Sequence, residues 1–576
     1  MRFRPIVYLG ALALVPAVVG AQRASRRPAR RPVPQAAPVI LALPLKYEAR
    51  PTSGAISAGD LMSRLYVFAD DSMMGREAGT EGHMKGTEYI ATELQRLGLV
   101  PAGDSGSYFQ NVPFISRRFM ASTLLTVEGG SLAGFSDVVA LPFRGAGARP
   151  IDGATAIYGG TLGDTANMLS AAQIEGKLVL LMLPASGSTR VGPAYASAAG
   201  VALVGDATLS KQQVGSGRVP AMTLVPAADA PLVAATLIVT SRAAQSLMGA
   251  PIAGLAVGTM GKTVRGNLKF AVADAPTRNV VAILPGSDRR LKGQYVAVGA
   301  HSDHVGYRAA GPLDHDSLHI INRERWLATE NPSGARLTGE QQAQQRDRLA
   351  AISVNVDSIH GAKIARRDSI NNGADDDGSG TVTVLEVAEA FARSKVKPKR
   401  SLLFVWHTGE EKGLLGSRYY ADNPTVPRDS IVAQINIDMV GRGAATDLAA
   451  GGPRYLQLVG SRRLSTELGD LTETVNKSER MPFVFDYAFD ANGHPDNIYC
   501  RSDHYNYARY GIPVVFMTTG LHGDYHQVTD EAQYIDYPHM ARVGQFVFDL
   551  TARVAGLDHR PVVDKEKPDP NGSCRQ

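Results

Sequence analysis

The chain has 576 residues, more than one ordinary domain needs, and 44% of them are apolar while 20% are charged, as in a soluble globular protein. Its two cysteines are too few for a disulfide-scaffolded fold. The net charge of +5 comes mainly from residues 22–50, where basic side chains far outnumber acids, so no nucleic-acid partner is expected.

The first 21 residues have the pattern of an export signal. Arg2 and Arg4 precede an apolar run at residues 6–20, and small residues lead to Ala21, where cleavage is expected. The run is shorter than a membrane-spanning helix. The alternative to a cleaved signal is an uncleaved membrane anchor. No later segment is long enough to cross a bilayer. We therefore predict a signal peptide at residues 1–21 and a periplasmic or secreted mature protein without a transmembrane segment.

The segments that follow differ in composition. Residues 22–54, rich in Pro, Arg and Ala, predict a disordered basic linker. Globular sequence begins at residue 55, and residues 82–97 predict a helix that Gly98 ends. Residues 130–270 are rich in Ala, Gly and Val, contain short β-type runs and carry no metal-binding cluster, so they predict a separate β-rich unit.

Four apolar runs in the C-terminal half end in residues that bind metals or move protons. These runs, at residues 296–300, 402–406, 431–437 and 512–517, predict buried strands of a parallel sheet. Since ligands gather at the carboxyl ends of such strands, we expect the residues that follow to converge. The polar clusters are His301-Ser302-Asp303-His304, Asp375-Asp376-Asp377, Glu410-Glu411, Asp438 and Asp524-Tyr525-His526. The acidic triplet in this list directly precedes a helix predicted at 381–394.

The adjacent glutamates Glu410 and Glu411 indicate hydrolytic chemistry, because one can bind a metal while the other moves a proton. A Glu-Glu pair by itself is usually a pair of solvated surface acids. The sequence has five clusters of ligand-type residues, each in a loop beside a strand or a helix, and chance does not account for all five. The sequence therefore predicts a metal site at this edge of the sheet.

The motifs GAHSDH, GADDDGSG, HTGEE, NIDMVGR and DYH, in this order, resemble those of the co-catalytic di-zinc aminopeptidases. That superfamily includes bacterial leucyl aminopeptidases, glutamate carboxypeptidase II and the transferrin receptor. The resemblance implies an α/β fold of the zinc-exopeptidase (phosphorylase/hydrolase-like) type, with a mixed, mostly parallel sheet flanked by helices, built from residues 55–129 and 271–556. Residues 130–270, with the runs GKLVL and AGVALV, resemble the protease-associated domain, which this family inserts into the catalytic domain.

The resemblance also implies two zinc ions per chain and peptide substrates. The implied ligands are His301 and Asp438 for one zinc, His526 and Glu411 for the other, and Asp376 for both. Such a pair of ions shares a hydroxide that attacks the peptide bond, and metal binding lowers the pKa of the water to about 7.

Three further roles are implied by the same resemblance. Glu410 is expected to be the general base, Asp303 to orient the imidazole of His301, and Tyr525 to stabilise the oxyanion. A packing role is the alternative for Tyr525. Other histidines beside the motifs are expected to hydrogen-bond within their loops, namely His304, His407, His504 and His522.

The favoured function is an exported aminopeptidase that removes N-terminal residues from peptides. Its alternatives are a carboxypeptidase of the glutamate carboxypeptidase type, a single-zinc glutaminyl cyclase and a non-catalytic binding module of the same fold. Arg442 and Arg501 lie near motifs but form no cluster that would anchor a substrate carboxylate. A serine triad around Ser502-Asp503-His504 is set aside because no Gly-x-Ser-x-Gly elbow accompanies it. Oligomeric state, native metal and residue preference stay open.

Two segments depart from the family pattern. A long polar insertion at about residues 305–370 separates the first two ligands, with residues 339–348 predicted to be helical, and we expect it to line or gate the cleft. Residues 557–576 are charged and rich in Pro, which predicts a flexible tail. Pairing of Cys500 with Cys574 stays open.

Overall fold

The computed structural model describes residues 43–141, 147–184, 191–308, 313–331, 334–353 and 366–576. The predicted signal peptide and most of the predicted linker lie outside the described residues. Within these ranges, none of the helices has both the length and the apolar character that a membrane crossing needs. The helices are α1 Ala58–Phe68, α2 Glu81–Leu97, α3 Ala171–Ile174, α4 Lys211–Arg218, α5 Ser241–Met248, α6 His315–Thr329, α7 Gly339–Ala351, α8 Gly380–Arg393, α9 Leu415–Asp422, α10 Thr466–Ser478, α11 His504–Ala508 and α12 Tyr537–Gly556.

The strands fall into two sheets of six or more strands and three smaller ones. The strands before residue 275 are β1 Val100–Pro101, β2 Phe109–Val112, β3 Phe114–Phe119, β4 Leu124–Val127, β5 Gly130–Ala133, β6 Val138–Ala140, β7 Thr155–Thr161, β8 Leu178–Met182, β9 Gly200–Val204, β10 Ala221–Leu224, β11 Ala235–Val239, β12 Met260–Thr263 and β13 Phe270–Asp274. Those after it are β14 Thr277–Leu284, β15 Tyr295–His301, β16 Leu313–Asp314, β17 Arg367–Asp368, β18 Ser401–His407, β19 Ile431–Ile437, β20 Tyr455–Val459, β21 Val484–Asp486 and β22 Val514–Thr518.

A nine-stranded mixed sheet forms the body of the protein. Its strands run in the order β1-β14-β18-β15-β19-β22-β20-β21, and β2 also pairs with β14. The neighbours β18, β15, β19 and β22 are parallel, while β14 and β20 run antiparallel to them on either side. Every residue of β18 and β19 is buried, as expected for central strands covered by helices on both faces. The predicted mixed α/β fold is confirmed.

Helix α8 begins directly after the acidic triplet and is buried along almost its whole length. It packs against β15 and contacts α1 and α12. Arg64 of α1 is 1% exposed and forms ion pairs with Glu386 and Glu389 of α8. Breaking a buried ion pair leaves an uncompensated charge, so this network fixes α1 against the middle of α8.

Residues 130–270 form most of a second unit with its own sheet and core. Six strands run in the order β12-β7-β8-β9-β11-β6, and β7, β8, β9 and β11 are parallel. Successive residues of β8 pack on opposite faces, with Leu178 and Leu180 in one buried cluster and Val179 in another. Phe119 belongs to the first cluster, so the core of this unit extends before residue 130.

The part of the predicted linker that the structure describes contacts the body. Thr52 donates a hydrogen bond to Glu389 at 2.5 Å, and the main-chain N–H of Arg50 donates to Ser63 at 3.2 Å. Thr52 therefore shares the polar network around Arg64.

The tail after residue 557 packs on the body, although its sequence predicts a flexible segment. A disulfide joins Cys574 to Cys500, with Cα atoms 5.8 Å apart. The side chain of Gln576 donates a hydrogen bond to the main-chain carbonyl of Phe489 at 2.8 Å. The reason for the difference is that this covalent link joins residues 74 positions apart, which local composition does not show.

Both ends of the long insertion are tied to each other. Strands β16 and β17 pair antiparallel at its two ends, and α6 contacts α7 within it. The predicted helix at 339–348 corresponds to α7, whereas α6 was not predicted.

Candidate metal centre

The ends of the parallel strands bring the predicted clusters together. Strand β15 ends at His301, strand β18 ends at His407, and these two residues are paired in register. Asp438 follows β19, the neighbour of β15 on its other side, and the loop after β22 carries His526. Parallel register thus places loops that are far apart in the chain at one edge of the sheet.

The acidic triplet Asp375-Asp376-Asp377 lies in an irregular turn that leads into α8. The turn needs Gly373 at its start, because φ is +56° there and a Cβ would lie 2.5 Å from the ring of His304. Any larger residue at position 373 would displace the triplet, the histidine or both.

The two outer acids of the triplet are engaged by neighbouring loops. Asp375 accepts a hydrogen bond from the N–H of Gly441 at 2.7 Å, and its other oxygen lies 3.1 Å from Nε2 of His522. Asp377 accepts hydrogen bonds from three main-chain N–H groups, those of His301, Gly380 and Met439. The middle acid, Asp376, is left to face the histidines.

Asp376 directs one carboxylate oxygen at each of two imidazoles. Its Oδ1 lies 3.2 Å from Nε2 of His301, and its Oδ2 lies 3.0 Å from Nε2 of His526. A second carboxylate stands beside each ring: Asp438 Oδ1 is 3.6 Å from Nε2 of His301, and Glu411 Oε2 is 2.9 Å from Nε2 of His526. The five ligands that the resemblance implies therefore lie together, as two groups that share Asp376.

The donor atoms of these groups fit zinc. The Nε2 atoms of His301 and His526 and the Oδ2 atom of Asp376 are buried without a hydrogen-bond partner. Histidine nitrogen and carboxylate oxygen are the ligands of catalytic zinc sites. Unpaired imidazole nitrogens that face carboxylates require a positive charge between them, and two metal ions would supply it.

The electrostatics of the cluster agree with this donor set. Burial alone would lower the pKa of His526, but the carboxylates of Asp376 and Glu411 raise it to about 10. Burial, together with Glu411 and Asp438, holds the pKa of Glu410 well above its ordinary value. Several buried carboxylates thus compete for too little positive charge, a situation that bound divalent cations relieve.

Glu410 is placed as a proton carrier beside both groups. Together with Asp376 and Asp438 it lines one cavity. Its main-chain N–H donates a hydrogen bond to Oδ1 of Asp303 at 3.2 Å. A carboxylate with a raised pKa is better matched to proton transfer near neutral pH than an ordinary glutamate.

Asp303 contacts His301 differently from the expectation. We expect its carboxylate to orient the imidazole, but the main-chain oxygen of Asp303 lies 3.0 Å from Nδ1 while the carboxylate Oδ1 is 3.8 Å away. The loop turns so that the carbonyl faces the ring and the carboxylate faces Glu410. The hydrogen bond from Nδ1 still fixes the ring with Nε2 towards Asp376.

His304 is a member of the site that the sequence analysis missed. It is buried, with Nδ1 3.0 Å from Oε1 of Glu411 and 3.7 Å from Oδ2 of Asp376. These three residues form a group whose atoms could hold a metal ion. The sequence offers only its place three residues after His301, which does not distinguish it from a histidine that bonds within its own loop.

The other three histidines beside the motifs contact residues outside the two groups of metal-ligand atoms. Nε2 of His407 lies 3.0 Å from the hydroxyl of Tyr507. His522 faces Asp375, and His504 stacks on Phe516, where burial lowers its pKa to about 3. Only His522 among these three has the expected bond within its own loop, from the main-chain N–H of Asp524 at 3.2 Å, whereas His407 bonds to a distant residue and both ring nitrogens of His504 lack a hydrogen-bond partner.

A cavity of about 440 Å³, including its open mouth, lies over the shared carboxylate. Apolar side chains form one part of its wall, namely Met439, Phe489, Ile498, Phe516 and Leu521. Tyr525 and Arg501 form another part, with the Tyr525 hydroxyl 3.5 Å from Nη2 of Arg501 and its ring stacked on His526. Ser502 donates to Oδ2 of Asp438 at 2.7 Å and so orients that carboxylate.

A second cavity of about 860 Å³ adjoins the first, because Phe489 and Leu521 line both. Helix α6 and the residues after it contribute Trp326 and Glu330 to its wall. The described part of the insertion therefore reaches the surroundings of the metal centre.

Three comparisons with known proteins find peptidases among the similar sequences and structures. The sequence profile of Peptidase family M28 matches residues 335–551. Leucine aminopeptidase 1 of Trichophyton rubrum is 27% identical over 260 residues, which are 40% of this chain and 66% of that protein. The chain thus spans somewhat less than two thirds of that relative's length.

Solved structures show a more distant likeness. An aminopeptidase from Aneurinibacillus sp. strain AM-1 is 16% identical, with a TM-score of 0.47, and the match covers 89% of this chain and 97% of that one. A zinc aminopeptidase from Bacillus subtilis is 15% identical, with a TM-score of 0.44, and the match covers 90% and 100%.

The sequence match accounts for the segment that holds Asp376, Glu410, Glu411, Asp438 and His526. The remaining predicted ligand, His301, lies before that segment and reaches the site through β15. The part of the chain that holds these five residues is therefore similar to Peptidase family M28.

Proposed function

We propose that this chain is an exported zinc-dependent aminopeptidase that hydrolyses N-terminal residues from peptides. The observation that carries the proposal is Asp376, whose two oxygens face His301 and His526 at 3.2 and 3.0 Å. One carboxylate thus serves two groups of ligand atoms, beside a cavity that Glu410 also lines.

Two zinc ions would polarise the scissile carbonyl and make water acidic enough to lose a proton near pH 7. One ion would be held by His301 and Asp438 and the other by His526 and Glu411. Asp376 would be a ligand of both. Glu410 takes that proton at its carboxylate and returns it to the departing amine. Its high pKa, caused by burial and neighbouring acids, suits both transfers.

The cavity wall supports recognition of a free N-terminus. Glu410, which is not one of the proposed zinc ligands, places an acid on one side of the cavity, where it complements a substrate ammonium group. The apolar side, which includes Phe489 and Phe516, suits an apolar side chain on the N-terminal residue. The hydroxyl of Tyr525 is the candidate donor to the oxyanion.

A carboxypeptidase is the second candidate, and a specific observation favours it. Arg501 lines the cavity beside Tyr525 and could bind a substrate carboxylate. The other arginine near the motifs, Arg442, is buried and engaged by Asp447 and Asp524 at 2.7 and 3.2 Å. A single available arginine offers weaker anchorage than a cluster, so the aminopeptidase is preferred.

Roles for the remaining segments belong to the same proposal. Residues 1–21 act as the export signal. Residues 130–270 form a protease-associated domain beside the catalytic domain. The described part of the insertion at residues 305–370 lines the substrate cleft, an assignment supported by the place of Trp326 in the cavity next to the metal centre.

The proposal is tested by measuring zinc content and the amino acids released from matched peptides with free and acetylated N-termini. About two zincs in the Asp376 cluster and release only from free N-termini are expected. Release from the C-terminal end of acetylated peptides, abolished in Arg501→Ala, would establish the carboxypeptidase instead. Absence of zinc or of any cleavage would refute both candidates.

A further inference from the structure

A third group of metal-ligand side chains lies outside the centre described above, at the base of the insertion. Ligand atoms of His315, Asp368 and Glu531 all lie within 4.8 Å of one another. Nδ1 of His315 is 3.5 Å from Oδ2 of Asp368 and 3.9 Å from Oε1 of Glu531. These separations are close to the 3.6 Å between Nε2 of His301 and its neighbouring carboxylate on Asp438.

The other polar atoms of two of these side chains are already engaged. Nε2 of His315 lies 3.2 Å from the hydroxyl of Tyr534. Oδ1 of Asp368 accepts the main-chain N–H of Ile370 at 2.9 Å. These contacts hold the imidazole and the carboxylate so that their remaining atoms, Nδ1 and Oδ2, face each other and Glu531.

The imidazole nitrogen is the decisive atom. His315 is fully buried, and its Nδ1 has no hydrogen-bond partner. When Nε2 donates to Tyr534, the lone pair sits on Nδ1, which is the arrangement of a metal-bound histidine fixed by an outer partner. A lone pair directed at two carboxylates repels them unless a cation lies between.

The neighbouring guanidinium of Arg366 does not fill this place. Its Nη1 lies 3.7 Å from Oε1 of Glu531, beyond hydrogen-bonding distance, and its Nε lies 4.0 Å from Asp316.

We propose that His315, Asp368 and Glu531 bind a third zinc ion, with a structural role separate from catalysis. One imidazole and two carboxylates suit zinc, with water completing the coordination, whereas calcium and magnesium prefer oxygen ligands throughout.

The position of the site explains what the ion would stabilise. His315 opens α6 and Asp368 lies on β17, so the two residues come from opposite ends of the insertion. Glu531 follows Asp530, whose carboxylate accepts the N–H groups of Asp375 and Asp376 at 2.9 and 3.0 Å. The zinc cross-links the insertion to the loop that supports the catalytic ligands.

The experiment counts zinc in the full-length protein after saturation with zinc and removal of excess by gel filtration. Wild-type protein is expected to hold three zincs per chain. His315→Ala and Asp368→Asn are each expected to hold two, with unchanged circular dichroism. The matched control is His319→Ala, one turn along α6, where Nδ1 lies 2.9 Å from Asp524 instead, and it should keep three.

Two zincs in the wild-type protein, or three in both site variants, would overturn the proposal. The count does not depend on activity. Three zincs in a protein that cleaves no peptide would therefore refute the aminopeptidase and leave the third site standing.

Discussion

Oδ1 of Asp303 accepts a hydrogen bond from the main-chain N–H of Glu410 at 3.2 Å. The same residue contacts His301 through its main-chain oxygen. Asp303 thus connects the first predicted ligand to the predicted general base, and so links the loops after β15 and β18.

Replacing Asp303 by Asn tests this connection. The amide presents a weaker acceptor to the N–H of Glu410, so the glutamate is less firmly placed, while the bond to His301 persists because it uses the main chain. We expect kcat to fall about 10- to 100-fold with zinc content unchanged. Steady-state kinetics with zinc analysis measures both, and loss of zinc in this variant would contradict the positioning role.

Glu410→Gln removes the proton carrier and keeps its shape. The variant is expected to retain zinc and to lose about 10²- to 10⁴-fold in kcat, because proton transfer is the step removed. The neighbouring change Glu411→Gln serves as the control and should lose zinc as well, since Glu411 lies 2.9 Å from Nε2 of His526. Equal zinc loss in both variants would show that the two glutamates do not divide their roles.

Asp376→Ala removes the carboxylate that faces both groups. Loss of the metal from both groups is expected together with loss of activity, because each group loses the carboxylate that the two share. Zinc analysis and circular dichroism check this prediction. A variant that keeps two zincs in these groups would exclude the shared carboxylate.

Local sequence determines most of the site, and the reason lies in the parallel sheet. Each ligand follows its own strand, so apolar runs that end in acids or histidines already define the edge at which His301 and Asp438 meet. Within the triplet, the resemblance singled out Asp376. The structure adds the physical reason, since the main chain and His522 engage the flanking acids.

Contacts between distant loops account for what the sequence could not show. His304 faces Glu411, more than a hundred residues away, and no local pattern distinguishes it from a histidine that bonds within its own loop. The disulfide between Cys500 and Cys574 likewise joins two loops whose proximity depends on the whole body. Composition alone therefore predicts a flexible tail.

The disulfide is expected to stabilise the fold by restricting the unfolded chain. Cys574→Ser should lower the free energy of unfolding by about 2–5 kcal/mol, since the bridge closes a loop of 74 residues. The midpoint of urea unfolding measures the loss. Wild-type protein treated with reductant should unfold at the same midpoint as the variant, and an unchanged midpoint for both would show that packing of the tail suffices.

Trp326 tests whether the insertion contributes to the substrate cleft. It lines the cavity that shares Phe489 and Leu521 with the metal centre, so Trp326→Ala removes apolar wall area without touching a predicted ligand. For peptides long enough to reach this cavity, KM is expected to rise on the order of ten-fold, as for one lost apolar contact, while kcat changes little. A short chromogenic substrate should be hydrolysed as before.

Leu349→Ala, on the neighbouring helix α7 and 36% exposed, is the control and should leave the hydrolysis of both substrates unaffected. If Trp326→Ala changed both substrates equally, the residue would support the fold of the catalytic domain and not its cleft.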